Sequence, residues 1–216
     1  MKRESKPPQI GDTVHVYIAR IPFPVEDADI FPATRKEEIE SCSNPDVRRD
    51  KFFVWKLLER ALMRSLGLDL KELDVSRTES GKWECSACCF SLSHSGNLVA
   101  VALSEKPIGV DIEKMDEARF TDALAEKITT AREREMLGSA EGGRGAALNA
   151  LWTKKEAVFK LLGKKAFQPW KIETSEYATV TKAIRSENEG YVITVASNDD
   201  CRADFRESEG MTLSEF

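Results

Sequence analysis

The apolar positions of this chain change rhythm from segment to segment, and each rhythm predicts an element. "HVYIARI", beginning at His15, reads as a first strand, and Pro22, Pro24 and Pro32 punctuate the loop after it. Trp55, Leu58, Leu62 and Leu66 then recur at helical spacing behind Asn44-Pro45-Asp46, which supplies an N-cap, a first helical residue and an early acid; Gly67 ends the pattern. Three strand-like stretches follow: "WECSACCFSLS" from Trp83, "NLVAVAL" from Asn97 and "IGVDIE" from Ile108. Phe120, Leu124 and Ile128 restore the helical period, and Thr130 with Glu133 forms a capping box that would open another helix. "GSAEGGRG" from Gly138 reads as a flexible loop, not a phosphate loop, because it follows a helix and lacks a terminal Gly-Lys-Ser/Thr. A helix from Trp152 to Leu162, stopped by Gly163, and a late strand "YVITVAS" from Tyr191 complete the order. Helices and strands in both halves predict an α+β fold divided near Glu105 to Pro107, with residues 1–105 and 106–216 as its two parts.

Candidate chemistry begins in "GVDIEKMD", where Val110 and Ile112 alternate with Asp111 and Glu113. Residues two apart on a strand share a face, so both carboxylates project side by side. Like charges held that close repel unless solvent, protonation or a cation relieves them. An amphipathic strand with a solvated polar face is the plain alternative. On the later helix, Trp152, Glu156 and Lys160 are spaced i, i+4, i+8 and form a stripe, although a Glu one turn before a Lys is also an ordinary stabilising pair. If Glu156 meets Asp111 and Glu113, three carboxylates converge without Cys or His. Such a donor set suits magnesium or manganese and leaves positions for water and phosphate oxygens. "FSLSHSG", Phe90 to Gly96, offers hydroxyls, backbone N–H groups and the His94 imidazole to a phosphate, or else a histidine satisfied within the fold. Gly81-Lys82 places another cation on a turn just upstream.

Composition narrows the classes. The chain has 216 residues and a net charge of −5, which argues against a general nucleic-acid binder. Its opening "MKRESKPPQIGDT" lacks the apolar stretch of a signal peptide, and no run approaches the roughly 18 apolar residues needed to span a bilayer, so a cytoplasmic protein without a membrane partner is expected. Five cysteines, an odd number, do not form a disulfide framework. Cys85-x-x-Cys88 could open a zinc site, but no second Cys pair follows, and buried strand thiols are the expectation. Charge is unevenly spread: Leu151 to Lys171 carries six lysines and one acid, Glu156, which reads either as a solvated face or as a docking surface for an anionic partner.

"FSLSHSG", "IGVDIE" and "WTKKEAVFKLLGK", in this order and at these separations, resemble the Sfp-type 4′-phosphopantetheinyl transferases of the holo-[acyl-carrier-protein] synthase superfamily. The ordered set spans Gly81 to Gly163; the first 80 residues match less clearly, with the helix carrying Arg48, Arg49 and Lys51 similar to the family's basic coenzyme-contacting helix. Trp83 follows Lys82 where the family often has proline.

The resemblance implies two similar α+β halves related by pseudo-twofold symmetry, with coenzyme A in the cleft between them. It implies a monomeric transferase that moves 4′-phosphopantetheine from coenzyme A to a serine of an acyl or peptidyl carrier protein in fatty acid, polyketide or nonribosomal peptide assembly, releasing adenosine 3′,5′-bisphosphate. Asp111, Glu113 and Glu156 would hold magnesium. Lys82, Ser93, His94, Asp111, Lys155, Lys160 and Lys51 would contact the coenzyme, with Ser93 and His94 at its 3′-phosphate. Glu156, or a water it orients, would take the serine proton, and Lys160 would stabilise the leaving phosphate. Lys164, Lys165 and Phe167 would dock the carrier, with Trp170 as either core or anchor. A magnesium-dependent phosphohydrolase or nucleotidyl enzyme, and a non-catalytic carrier-binding protein, are the competing classes.

Overall fold

The computed structural model describes residues 10–21, 29–119, 121–137 and 143–208. Pro22 and Pro24, Phe120 and the Gly138–Gly142 part of the glycine-rich stretch lie outside them. In chain order the elements are β1 (Thr13–Arg20), α1 (Ala33–Glu40), α2 (Pro45–Leu66), β2 (Val75–Arg77), β3 (Trp83–Cys85), β4 (Cys89–Ser95), β5 (Leu98–Ser104), β6 (Gly109–Lys114), α3 (Asp122–Ile128), α4 (Ala131–Leu137), α5 (Arg144–Leu162), β7 (Ala178–Ser186), β8 (Glu189–Ser197) and β9 (Arg202–Ser208). The first sheet has the order β4-β5-β1-β9, the second β6-β8-β7, and β2 pairs with β3 as a small hairpin.

The local signals behave as their physics requires. Asn44 accepts the N–H groups of Asp46 and Val47 at the start of α2, and Gly67 closes the helix in the left-handed conformation at φ 65°. Thr130 and Glu133 form the reciprocal capping box, with Glu133 N–H to Thr130 Oγ1 at 3.2 Å and Thr130 N–H to Glu133 Oε2 at 2.9 Å. Two predicted elements change. The stretch from Trp83 breaks at residues 86–88 into β3 and β4, and α5 starts at Arg144, not Trp152, because "RGAALNAL" is rich in good helix formers.

Burial explains the unalternating strands. One core joins Phe53, Trp55, Leu58 and Leu62 of α2 to Val99, Val101 and Leu103 of β5. A second joins Val14, Val16, Ile18, Ala100 and Ala102 on the other face of that sheet to Val110, Ile112, Ile193 and Val195 of the second sheet. A third packs Ala157, Val158 and Leu161 of α5 on Ala196. The order of layers is therefore α2, first sheet, second sheet, α5, and β5, covered on both faces, is buried along its whole length. Each half is a long helix laid on a sheet, which gives the α+β fold. The two sheets change over between β5 and β6, but β9 returns from the end of the chain to pair in parallel with β1 in the first sheet.

The two sheets meet edge to edge through side chains. Ser91, Ser93 and Ser95 lie on one face of β4, and their hydroxyls accept the backbone N–H groups of Val110 (3.0 Å), Ile112 (3.2 Å) and Lys114 (3.0 Å) of β6. From the opposite face, Phe90 enters the α2 core and His94 reaches Asp50 of α2. Behind β6 the approach of α5 is closer still. A Cβ at Gly109 would stand 1.9 Å from the Ala157 carbonyl oxygen and 2.6 Å from the Leu161 nitrogen, so only glycine admits the helix at this depth.

Gly109→Ala is therefore expected to destabilise the protein by about 3 kcal/mol or more, since both clashing atoms are backbone. Urea denaturation followed by circular dichroism measures it; a loss below about 1 kcal/mol would show that the helix can withdraw.

Candidate active site

The packing of α5 on β6 brings the stripe Trp152, Glu156, Lys160 against Asp111 and Glu113. Lys160 Nζ donates to Asp111 Oδ1 at 2.7 Å and to Ser93 Oγ at 2.9 Å, while Ser93 Oγ itself donates to Asp111 Oδ1 at 2.8 Å. Two turns earlier on the helix, Trp152 Nε1 donates to Glu113 Oε1 at 3.0 Å, and Ser95 Oγ donates to Glu113 Oε2 at 3.0 Å. Glu156 lies between these two attachments. Gly109, Asp111 and Glu113 occupy the helix-facing side of β6, while Val110 and Ile112 enter the core between the sheets.

Electrostatics record the crowding. Burial raises Glu156 first; the Asp111 charge adds to it, Lys160 opposes it and Glu113 adds again, with the result at about 7. Glu113 is raised by burial and then by Asp111, against Arg119, Ser95 and Trp152. Asp111 is 4% exposed, and its Oδ2 is buried with no hydrogen-bond partner among the protein atoms. A buried carboxylate oxygen without a donor costs about 1–3 kcal/mol, which a water, another donor or a cation would relieve.

Among the described residues no three His, Cys, Asp or Glu side chains stand as a finished metal-holding group. Lys160 and Ser93 occupy one oxygen of Asp111, and Trp152 and Ser95 occupy the two oxygens of Glu113. The chemistry nevertheless fits a hard divalent cation: an orphaned Asp111 oxygen, the Asp111 charge raising both Glu113 and Glu156, and no competing soft ligand.

Beside this cluster opens a cleft of about 400 Å³ whose wall includes Lys82, Trp83, Phe159, Lys160, Lys164 and Lys165. Lys82 Nζ donates to the Lys160 carbonyl at 3.0 Å and the Ile108 carbonyl at 3.3 Å, and burial lowers its pKa. Four lysines line this one concavity, a composition suited to an anionic ligand.

Several expected contacts stand elsewhere. Ser93 is 4% exposed, and its hydroxyl is spent on Asp111, Ile112 and Lys160, so it is a strut between the halves and not a group presented to a phosphate. Lys155 is fully buried behind α5, held by the Pro169 carbonyl (2.8 Å), the Ile172 carbonyl (2.5 Å) and Glu133 (2.7 Å), which corrects its expected phosphate contact. One helical position, a rotation of about 100°, takes it off the face that carries Glu156. His94 Nδ1 is 3.2 Å from Asp50 Oδ2, with the imidazole about one-third exposed. Burial raises Asp50, but hydrogen bonds from His94 and Arg49 outweigh it and leave its pKa low. Lys51 pairs with Glu38 at 3.1 Å, and Glu38 also accepts Arg35 (2.7 Å) and the Trp83 indole N–H (3.1 Å). Phe167 is half-buried, edge-on to Trp152 at 5.3 Å and tilted on Phe159 at 5.0 Å, whereas Trp170 is 52% exposed. The Cys85 and Cys88 thiols are half-buried at a cleft wall, not sealed in a strand.

Arg119 was not legible from the sequence. It stands 3.6 Å from Glu113 and over the Trp152 ring at 5.4 Å, on a short turn whose approach no periodicity announces.

The raised Glu156 carboxyl has a consequence for stability. The unfolded chain loses this proton near the ordinary carboxylate value of 4.5, and the folded chain keeps it to about 7, so stability falls as pH rises through that window. In chelator, Glu156→Gln is expected to match wild type near pH 4.5 and to exceed it at pH 8 by something on the order of 2 kcal/mol. Denaturation at both pH values tests this; an equal difference at the two would dismiss the buried-charge account.

A family model described as the 4′-phosphopantetheinyl transferase superfamily matches residues 107–205, the segment that carries β6 and α5. Among curated proteins, the chain is 38% identical over 76 residues to 4′-phosphopantetheinyl transferase psf-1 of Bacillus pumilus, covering 35% of this chain and 32% of that protein. It is 30% identical to 4′-phosphopantetheinyl transferase gsp of Aneurinibacillus migulanus, covering 52% and 48%. The likeness to 4′-phosphopantetheinyl transferase HetI of a Nostoc strain is 24% but extends over 92% of this chain and 90% of that one. The chain thus spans about a third to a half of the first two relatives and nearly all of the third. Over this segment, and more thinly along its length, the chain is similar to the 4′-phosphopantetheinyl transferase superfamily.

Proposed function

We propose that the protein transfers 4′-phosphopantetheine from coenzyme A to a serine of an apo acyl or peptidyl carrier protein, with adenosine 3′,5′-bisphosphate as the second product. The observation that carries this reading is the register of α5 on β6: Lys160 meets Asp111, Trp152 meets Glu113, and Glu156 sits between them beside a cleft with four lysines. A polyanion in that cleft would lie with its phosphates against the carboxylate cluster.

Asp111, Glu113 and Glu156 are the residues that would hold magnesium, or manganese, at the pyrophosphate. When bound, the cation supplies charge neutralisation to the phosphoryl group and its leaving oxygen. Lys82 and Lys160 bind and orient the coenzyme's phosphates, and Lys164 and Lys165 at the cleft mouth present charge to the carrier. Glu156 takes the proton of the incoming serine hydroxyl, directly or through a water. The serine oxygen bonds to the β-phosphorus, the bridging P–O bond breaks, and the adenosine bisphosphate carries away the electron pair. Lys160 uses two donors on Asp111 and Ser93 and can turn a third to the departing phosphate. His94, braced by Asp50, would meet the coenzyme's 3′-phosphate.

Both halves reside in one chain, which supports an active monomer. Five unpaired thiols suit a reducing, cytoplasmic setting, and among the described residues no helix is long and apolar enough to cross a membrane.

Incubation with coenzyme A, magnesium and an apo-carrier is expected to add one phosphopantetheine to the carrier by intact mass. Glu156→Ala and Asp111→Ala, checked for folding, are expected to reduce the rate at least about a hundredfold. Release of phosphate with no carrier adduct would identify a hydrolase, and carrier binding without turnover a non-catalytic partner. Lys164→Glu with Lys165→Glu is expected to raise the carrier KM several-fold and flatten its salt dependence. Steady-state kinetics at two ionic strengths decides it, and an unchanged KM would move the docking face elsewhere.

A further inference from the structure

Cys85-x-x-Cys88 has no part in the transfer chemistry, yet the fold gives it a defined setting. Cys85 ends β3 opposite Val75, and the turn after it is pinned by Ser86 N–H to the Asp74 carbonyl at 3.0 Å. That turn brings the Cys85 sulfur to 3.5 Å from the Cys88 carbonyl oxygen, to which the thiol donates. Both line a cleft of about 690 Å³ that shares Ser80, Lys82, Phe90, Gly163 and Lys165 with the lysine cleft. Cys89 also borders it, but its sulfur is directed at the Glu105 carbonyl, 4.0 Å away.

We propose that Cys85 and Cys88 form a reversible thiol–disulfide site for low-molecular-weight disulfides, with Cys85 the attacking thiol and Cys88 the resolving one. The attack forms a bond from the Cys85 sulfur to one sulfur of the reagent, breaks the reagent's S–S bond and releases one thiolate, which takes up a proton. Cys88 then loses its proton, attacks the Cys85 sulfur and expels the second thiolate. The protein dithiol is oxidised by two electrons and the reagent is reduced to two thiols.

The division of labour follows from the surroundings. Once Cys85 ionises, the Cys88 thiol donates to its sulfur, and the backbone N–H groups of Cys88 and Ala87 add to it, which brings the Cys85 thiol down to about 6 despite burial. Cys88 is pushed up by the same hydrogen bond and by burial. Once Cys85 is capped, the thiolate that opposed ionisation of Cys88 is gone. The closed disulfide would tie the turn beside the strand that follows Lys82.

The test uses the full reduced protein, equilibrated with glutathione disulfide and analysed by intact mass and peptide mapping. Wild type is expected to lose two hydrogens, retain no glutathione at this site and yield a Cys85–Cys88 linked peptide. Cys88→Ser is expected to retain one glutathione on Cys85, and Cys85→Ser to lose that chemistry. The initial rate at Cys85 is expected to exceed that of an ordinary exposed thiol by about two- to fourfold, because the gain in thiolate fraction is partly offset by lower nucleophilicity. Linkage through Cys89, glutathione confined to Cys42 or Cys201, or no reaction at Cys85 would overturn the proposal. The wild-type peptide map decides the point even if a variant fails to fold, and it reads the same whether or not the protein transfers phosphopantetheine.

Discussion

The organisation of this protein depends on three serine hydroxyls that take the place of a backbone ladder. β6 is the outer strand of its sheet, paired with β8 on one side only, and its remaining N–H groups would form an open edge. Ser91, Ser93 and Ser95 cap those groups from the face of β4, so two sheets are joined where neither could add the other as a further strand. Each bond contributes little by itself, about 1 kcal/mol, but three at a spacing of two residues fix the register between the halves. That register sets Ser93 beside Asp111 and Ser95 beside Glu113.

The second constraint is the depth of α5. Without a side chain at Gly109, the helix backbone comes close enough for Lys160 and Trp152 to hold the two carboxylates of β6 from above while the serines hold them from the side. Glu156 is then forced into a site where burial and two like charges act together, and its proton is retained to about 7. The fold therefore maintains three crowded carboxylates against the two cations Lys160 and Arg119, with the orphaned Asp111 oxygen as its most exacting point. Such a cluster of carboxylates with raised pKa values is a candidate functional site.

What the sequence disclosed was what spacing controls. The i, i+2 carboxylates, the i, i+4, i+8 stripe, the Asn44 cap and the Thr130 capping box are local relations, and each is found as spacing requires. Its failures are contacts made across the fold. Ser93 and Lys155 have side chains suited to a phosphate, but Ser93 is consumed by a neighbouring strand and Lys155 by Glu133 and two carbonyls from a later segment. β7 and β9 escaped detection because exposed faces dilute their apolar pattern, and β9 pairs with β1, nearly the whole chain away. Arg119 reaches Glu113 from a turn that has no periodic signature.

The lysine-rich segment shows how one composition serves three physical purposes. Lys155 is a buried strut, and its ion pair with Glu133 has both partners almost wholly out of water, so removing either would strand the other. Lys160, one-quarter exposed, belongs to the carboxylate cluster. Lys164 and Lys165 lie beyond Gly163, exposed at the cleft mouth, where Lys165 has only a solvent-screened partner in Glu79 at 3.1 Å. The chain from 167 to 172 is tied down at both ends, by Phe167 on Trp152 and Phe159 and by the Lys155 ammonium on the Pro169 and Ile172 carbonyls. Trp170 is thereby held outward on a rigid segment, with little conformational entropy left to lose on contact. Phe167 is thus the support that fixes the exposed Trp170 beside the helix carrying Glu156.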